Sequence, residues 1–227
     1  LKYDNTNYMD KYSSVIIAGG KNKRINMIKP LINLGGKQII IRINDILKEI
    51  FSEIILVIRK DQSDDIPNLG MAMGMHIVED IYPDIGPISG IYTGLCESIN
   101  KNVFVIGGDY PFLSKGLITE MIKKSKSDKS VFVNNKNIIN PLHGIYNKNY
   151  WEEKFYKNIE KNYFSTRKLI NENYNIENFE LMDYQKFDKK YKESLLDIDN
   201  LDDLKKARKI IYSKNQTIRP DIRPEGV

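Results

Sequence analysis

The chain has 227 residues, of which 41% are hydrophobic and 29% charged, with a formal net charge of +5 and a pI near 9.0. That balance is ordinary for a soluble globular protein, and the length suits one large domain with a substantial core. The basic residues are scattered and form no stripe, which favours a small anionic ligand over nucleic acid; the single cysteine, Cys96, excludes an internal disulfide or a thiolate metal cluster; and no apolar window reaches the length of a membrane span.

Short β-branched runs alternate with longer amphipathic segments. Ser14–Ala18 predicts a buried strand, Ile39–Ile50 a helix, Glu53–Ile58 a second strand and Met75–Val78 a third. Ile88–Ile99 reads as a helix, Asn102–Ile106 as a fourth strand, Ser114–Lys126 as a helix capped by Ser114, and Lys129–Val133 as a fifth strand. This order implies an α/β fold: a doubly wound, mostly parallel sheet with helices on both faces. The nearly continuous apolar runs suit strands buried on both sides. Beyond about residue 134 the rhythm changes. Asn137–Tyr146 reads as an antiparallel strand, Asn149–Lys161 and Thr166–Glu172 as helices, and Ile176–Met182 as a strand. A short strand at Leu195–Ile198 and a closing helix at Leu201–Tyr212 follow, and residues 214–227, with Pro220 and Pro224, read as a tail.

The first strand runs into A-G-G-K-N-K-R, and Lys21, Lys23, Arg24 and Lys29 crowd the positions that follow. A loop at the carboxyl end of a parallel strand is where open α/β sheets bind ligands. Glycines let backbone N–H groups turn toward a phosphate, and Lys and Arg neutralise its oxygens. The stretch therefore reads as a polyphosphate cradle built from Ala18, Gly19, Gly20, Arg24 and Lys29. It is neither a Walker loop nor a dinucleotide fingerprint. A tight turn with solvated lysines is the plainer alternative for a bare G-G-K.

Three later stretches add to it. Gly107-Gly108-Asp109-Tyr110-Pro111 puts Asp109 at another strand end, where a carboxylate can hold Mg²⁺ or simply serve a turn. Gly86-Pro87-Ile88-Ser89-Gly90 reads as a loop entering a helix whose free N–H groups could face a nucleotide, with Asp80 close by at the end of the third strand. Pro87 as the first helical residue and Gly90 as a packing site are compatible with that. In L-L-D-I-D-N-L-D-D-L, Asp197 and Asp199 alternate with apolar residues and face one side, while Asn200 or Asp199 caps the helix. His143, His76, Cys96 and Trp151 read as structural: a satisfied core or edge histidine, a strand residue, a small buried hydrophobe and a packing aromatic.

In this order the stretches resemble the molybdenum cofactor guanylyltransferase family of nucleotidyltransferases. Its L-A-G-G-x-S-x-R-M-G-x-x-K loop stands here as I-A-G-G-K-N-K-R-I-N-M-I-K. Its G-P-L-A-G stands as Gly86 to Gly90, its C-D-x-P as Gly108 to Pro111, its P-L-H as Pro141 to His143, and its N-x-N-T-P-E-E-L as D-I-D-N-L-D-D-L. Asn26 replaces a glycine of the pattern, Ile28 an acidic residue, and Asp197 and Asp199 two asparagines; Val57 or Ile58 falls where relatives can carry an asparagine. The resemblance covers roughly Ser14 to Ile210 and implies one Rossmann-like nucleotidyltransferase domain over 1–213. Its nucleotide half would be 14–134 and its acceptor half 135–213. It implies GMP transfer from GTP to the phosphate of molybdopterin with loss of pyrophosphate. Arg24, Lys29 and Asp109 would be catalytic; Ala18, Gly19, Gly20, Lys29, Asp80, Gly86, Pro87 and Gly90 would bind nucleotide. Asp109 and Asp199 would hold Mg²⁺ as cofactor, and Asp197 and Arg167, with Thr166 and Lys168, would face the acceptor. A cytoplasmic monomer is expected, serving molybdoenzyme maturation proteins, with no nucleic-acid or membrane partner. The rivals are a CTP- or UTP-dependent enzyme activating a sugar, polyol or pterin phosphate, and a nucleotide sensor without catalysis.

Overall fold

The computed structural model describes residues 11–20, 25–125, 129–135, 138–173, 176–180 and 191–217. Its sheet grows outward from β1 (Tyr12–Ile17), flanked in parallel by β4 (Glu53–Ile58) and β6 (Asn102–Gly107). β5 (His76–Glu79) extends one side in parallel, while β8 (Ile138–Asn147) joins β6 in antiparallel sense. β7 (Ser130–Asn135) and β9 (Ile176–Glu180) complete the order β5-β4-β1-β6-β8-β7-β9. A separate hairpin pairs β2 (Asn33–Leu34) with β3 (Lys37–Gln38).

The apolar runs explain the layers. Successive side chains of β1 point to opposite faces, and both faces are dry: Val15 and Ile16 are each 0% exposed. Val15 packs with Ile55, Val57, Val103 and Val105 under α3 (Pro87–Glu97), α5 (Lys148–Glu160) and α6 (Thr166–Asn171). Ile16 packs with Leu56, Phe104 and Ile106 under α1 (Ile39–Leu47), α2 (Asp65–Ala72), α4 (Lys115–Lys124) and α7 (Leu201–Thr217). Two hydrophobic layers on one sheet are the doubly wound arrangement that the sequence predicts. Trp151 is fully buried and donates its indole N–H to Ser130 Oγ at 2.8 Å, a packing role as expected. Ser114 caps α4 by accepting from the Leu117 N–H at 3.1 Å. Among the described residues no helix is long and apolar enough to cross a membrane.

Several boundaries differ from the reading above. α2 was not foreseen, because Pro67 and Gly70 interrupt its pattern. Pro67 falls in the first turn, where its missing N–H costs nothing. Gly70 lets the helix close on the sheet, since a Cβ there would sit 2.7 Å from both Leu56 Cδ2 and Ile77 Cδ1. The expected strand at Leu195–Ile198 is instead a 3₁₀ turn, Glu193–Leu195, followed by irregular chain. The Ile198 N–H donates to the Asp109 carbonyl at 3.1 Å, which ties the segment to a loop and not to a strand. α7 runs to Thr217, into the stretch read as a tail. The expected ends of the strand at Met182 and the helix at Lys126, with residues 218–227, lie outside the described residues.

One irregularity positions a site residue. β7 and β8 pair Phe132 with Gly144 but Val133 with Asn140, so Pro141-Leu142-His143 is skipped by the ladder. Proline has no N–H to give, which fits a break in pairing at this point.

Candidate active site

The carboxyl ends of β1, β4, β5 and β6 open on one cleft of about 330 Å³. Ala18, Gly19, Gly20 and Lys29 line it, as do Asp80, Gly86, Pro87, Gly90 and Asp109. So the structure brings together the first glycine loop, the G-P-I-S-G loop and the strand-end aspartate, residues that the sequence scatters over more than a third of the chain. Arg24 lies outside the described residues.

Lys29 opens the 3₁₀ turn Lys29–Leu31, with buried Pro30 beside it fixing the backbone. Asn26, which replaces a glycine of the family pattern, has φ +51. Asparagine is among the few residues that tolerate that left-handed conformation, so the replacement keeps the turn. The Lys29 ammonium stands 3.0 Å from Asp109 Oδ2 and 2.7 Å from Asp199 Oδ1. Burial works against its charge, but the hydrogen bond to Asp199 and the pull of Asp109 outweigh burial and raise its pKa. Burial pushes the Asp109 carboxyl up, opposed by Lys29. Asp197 is pushed up to about 6, first by burial and then by the charges of Asp199 and Asp109. Asn200, not Asp199, caps α7: its Oδ1 accepts from the Asp202 and Asp203 N–H groups at 2.9 and 3.0 Å. That leaves Asp199 to Lys29.

Gly107 and Gly108 serve the chain's own packing as well as the cleft. A Cβ on Gly107 would meet Asp109 Oδ1 at 2.7 Å, and one on Gly108 would meet Pro30 Cγ at 3.1 Å. The Gly108 N–H donates to Ile17 O at 2.9 Å, which clamps the loop after β6 against the end of β1.

The other end of the cleft is built on α3. Pro87 is its first residue, and Gly86 before it holds φ +94, which a side chain would strain. Gly90 lets α3 approach β1 closely, since a Cβ there would be 2.9 Å from Ile17 Cγ2. Asp80 takes the Ser89 hydroxyl in a hydrogen bond and accepts from the Tyr82 N–H at 3.2 Å, both on Oδ1. It thus fastens the loop to the helix while lining the cleft. Residues that sequence reasoning passed over complete the walls: Arg59, at the end of β4, Asp84, and Leu142 from the skipped P-L-H stretch. The strand-end rule that selects Asp109 would have selected Arg59 too. The Asp61 carboxylate holds Arg59 by hydrogen bonds and keeps its pKa up.

The acceptor-side expectations are dispersed. Arg167 is not among the cleft residues; its Nε donates to Ile139 O at 3.0 Å. The Thr166 hydroxyl is buried without a hydrogen-bond partner. His143 is a core histidine but not a satisfied one. It sits between the ring edges of Phe104 and Tyr110, burial lowers its pKa to about 3, and neither ring nitrogen has a partner. Cys96 is half-buried, and burial raises its thiol pKa. Exposed His76 begins β5.

Among the described residues no group of three or more metal-type side chains forms a ready cage. Asp109 and Asp199, both turned to Lys29, still fit Mg²⁺, which takes one or two carboxylates and completes its shell with water and substrate phosphate.

The fold recurs in solved structures. Molybdopterin-guanine dinucleotide biosynthesis protein A from Archaeoglobus fulgidus superposes with a TM-score of 0.74 at 20% identity, covering 88% of this chain and 99% of the other. The 4-diphosphocytidyl-2C-methyl-D-erythritol synthase of Anaerococcus prevotii gives 0.68 at 18% identity, with 90% and 98% covered. A protein of Natranaerobius thermophilus named "probable molybdenum cofactor guanylyltransferase" is 29% identical over 215 residues, 89% of this chain and 97% of that one. A like-named protein of Pelotomaculum thermopropionicum is 29% identical over 136 residues, which span 60% of this chain and 63% of the relative. The model of the MobA-like NTP transferase domain matches residues 14–170, from β1 through the glycine loops, Asp109 and the P-L-H stretch into α6, and the chain belongs to that family.

Proposed function

We propose that the protein transfers GMP from GTP to the terminal phosphate of molybdopterin, forming a guanine dinucleotide cofactor and releasing pyrophosphate. The observation that carries this is the Lys29 ammonium held between Asp109 and Asp199, in the same cleft as the β1 glycine loop and the start of α3. An acceptor phosphate oxygen attacks the α-phosphorus, a new P–O bond forms, and the bond to the β-phosphate bridging oxygen breaks. The acceptor phosphate is already ionised at neutral pH, so no general base is required. Catalysis then rests on alignment and charge neutralisation. Backbone N–H groups of Gly19 and Gly20 cradle the triphosphate, that of Ala18 being engaged instead by Val57 O at 2.9 Å, and Lys29, with Arg24, neutralises charge that builds on it. Asp80 and the Gly86–Gly90 loop hold the nucleoside. Asp109 and Asp199 would hold Mg²⁺, which when bound supplies Lewis-acid neutralisation of phosphate oxygens. Asp197 and Leu142 face the acceptor, and the reaction belongs in the cytoplasm. The relatives' names support guanylyl transfer to the molybdenum cofactor.

The test supplies molybdopterin with each of GTP, ATP, CTP and UTP and follows pyrophosphate release. Turnover with GTP and a dinucleotide product is expected. Turnover with CTP alone would make the chain a cytidylyl enzyme; nucleotide binding without pyrophosphate would make it a sensor.

A further inference from the structure

We infer that Asn140 is a positioning residue for the transfer reaction: it joins the loop that carries Asp109 to the skipped stretch that carries Leu142, and so fixes two walls of the cleft against each other. The inference rests on the nucleotidyl-transfer reading above and names a residue that lies outside the cleft.

The skipped stretch is irregular backbone held in place. Pairing of β8 with β7 stops at Asn140 and resumes at Gly144, and its pairing with β6 ends where His143 meets Ile106. Continuing that antiparallel register by one residue sets Leu142 level with Gly107, the last residue of β6. A break in a ladder re-aims a side chain, and here it sends Leu142 to the cleft that Gly107, Gly108 and Asp109 also line. Side chains take up backbone groups that the break sets free. The Tyr146 hydroxyl donates to Pro141 O at 2.6 Å, and the Leu142 N–H donates to Asn140 Oδ1 at 3.0 Å.

The other end of the Asn140 amide reaches the Asp109 loop. An N–H can only donate, so Leu142 requires the amide oxygen and leaves Nδ2 to Tyr110, whose hydroxyl accepts from it at 2.6 Å. Burial, and then the charge of Asp197, raise the Tyr110 pKa, which keeps the hydroxyl neutral. The Tyr110 side chain has little room to move. It is buried, its ring stands edge-on to His143 at 5.7 Å, and a Cβ on Gly107 would come within 3.1 Å of Tyr110 Cε2.

Asp109 is thus fastened on both sides. The Gly108 N–H before it is held by Ile17 O, its own carbonyl accepts from the Ile198 N–H, and Tyr110 after it is pinned by Asn140. Asn140 is half-buried and is not among the cleft residues, so it acts on the reaction through its two partners. Misplacing a reacting group by about 1 Å costs on the order of 10² in rate, which sets the size of the expected effect.

Steady-state kinetics of the full chain with GTP, Mg²⁺ and molybdopterin, beside melting curves, test this in wild type, Asn140→Leu, Asn140→Asp, Tyr110→Phe and the double variant of Asn140→Leu with Tyr110→Phe. Asn140→Leu nearly keeps the side-chain volume and loses both hydrogen bonds. Its kcat per folded molecule is expected to fall about ten- to a hundredfold, while KM for GTP changes less than about threefold. Asn140→Asp should recover most of the loss: one carboxylate oxygen still accepts from Leu142, and the Tyr110 hydroxyl can turn its own proton to the other. Tyr110→Phe should lower kcat too, and adding it to Asn140→Leu should cost less than about threefold more, because the bond is already gone. A lower melting temperature with unchanged kcat would make Asn140 purely structural and overturn the inference, as would losses that simply multiply in the double variant. If Asn140→Leu unfolds, Tyr110→Phe, which retains the ring, carries the same comparison of kcat against KM. A wild type that turns over CTP in place of GTP overturns the guanylyl reading alone, and the variants are then judged with CTP by the same criteria. A wild type that turns over no nucleotide overturns both.

Discussion

At the scale of single residues, the site concentrates charge that the folded chain holds at a cost. Lys29 neutralises two carboxylates, both partly buried, and on our reading also the charge that develops on transfer. Lys29→Ala is expected to lower turnover on the order of 10²–10³-fold per folded molecule. Adding Asp199→Asn should recover thermal stability, because one unpaired carboxylate is gone, without recovering turnover. A single variant that melts early yet turns over normally would reduce Lys29 to a structural ion pair. Asp109→Asn keeps an oxygen for the Lys29 hydrogen bond but removes the charge. Pyrophosphate release should collapse while melting stays near wild type, and the Mg²⁺ midpoint of residual activity should move to higher concentration. An unchanged midpoint would take Asp109 out of the metal's reach. Asp197 makes a pH prediction. Its pKa is raised from 3.8 to about 6, so between those values the folded chain binds more protons than the unfolded chain and stability falls as pH rises. Above about pH 6 the full penalty persists, and below about pH 4 it is absent. In metal-free protein, Asp197→Asn should gain about 1–2 kcal/mol at pH 7.5, after allowance for partial exposure, and nothing at pH 3.5. A gain that is the same at both pH values would trace it to packing.

At the scale of elements, close approach of α3 to the sheet sets the shape of the cleft. Gly94 has no side chain because β1 occupies the space: a methyl group there would run into both γ-carbons of fully buried Val15. Overpacking of this kind costs about 1–3 kcal/mol, and the helix propensity gained over glycine returns at most about 1. Gly94→Ala should therefore lower the urea midpoint, and Val15→Ala in the same chain should relieve much of the loss. A raised midpoint would mean that α3 can slide outward freely. The same elements show what was legible in the sequence. Buried parallel strands such as Glu53–Ile58 are readable because apolar runs have few other uses. The antiparallel β8 was readable from the change of rhythm. α2 was not, because a proline in the first turn and a packing glycine look like breakers until the neighbouring strand is known. Leu195–Ile198 has the alternation of a strand, but its backbone partner is the Asp109 carbonyl, and alternation cannot report partners. Within the site, motif residues at strand ends were found. Arg59 and Asp84 were missed because they meet at the cleft wall across a separation that no local pattern encodes.

At the scale of the whole molecule, ligand and fold share one free energy. If GTP binds the folded chain alone, a hundredfold excess over Kd adds about 2.7 kcal/mol of stability. For a chain of this size that corresponds to a rise in melting temperature of roughly 5–10 °C. GTP with Mg²⁺ should give that rise and exceed ATP and CTP; a larger shift with CTP would redirect the substrate assignment.

Lys29 and Asp199 meet although they stand 170 positions apart in sequence. A growing polypeptide is extended at about 5–20 residues per second, so roughly 10–30 s separate the making of the two residues on a ribosome. About midway through that interval the sheet's central strands and both glycine loops have been made, and the lysine has one of its two carboxylate partners, Asp109. The protein is therefore built with its cleft walls earlier and its charge cluster later. The later-made stretch that carries Asp199, in docking beside Asp109, turns the hollow into a site equipped for transfer.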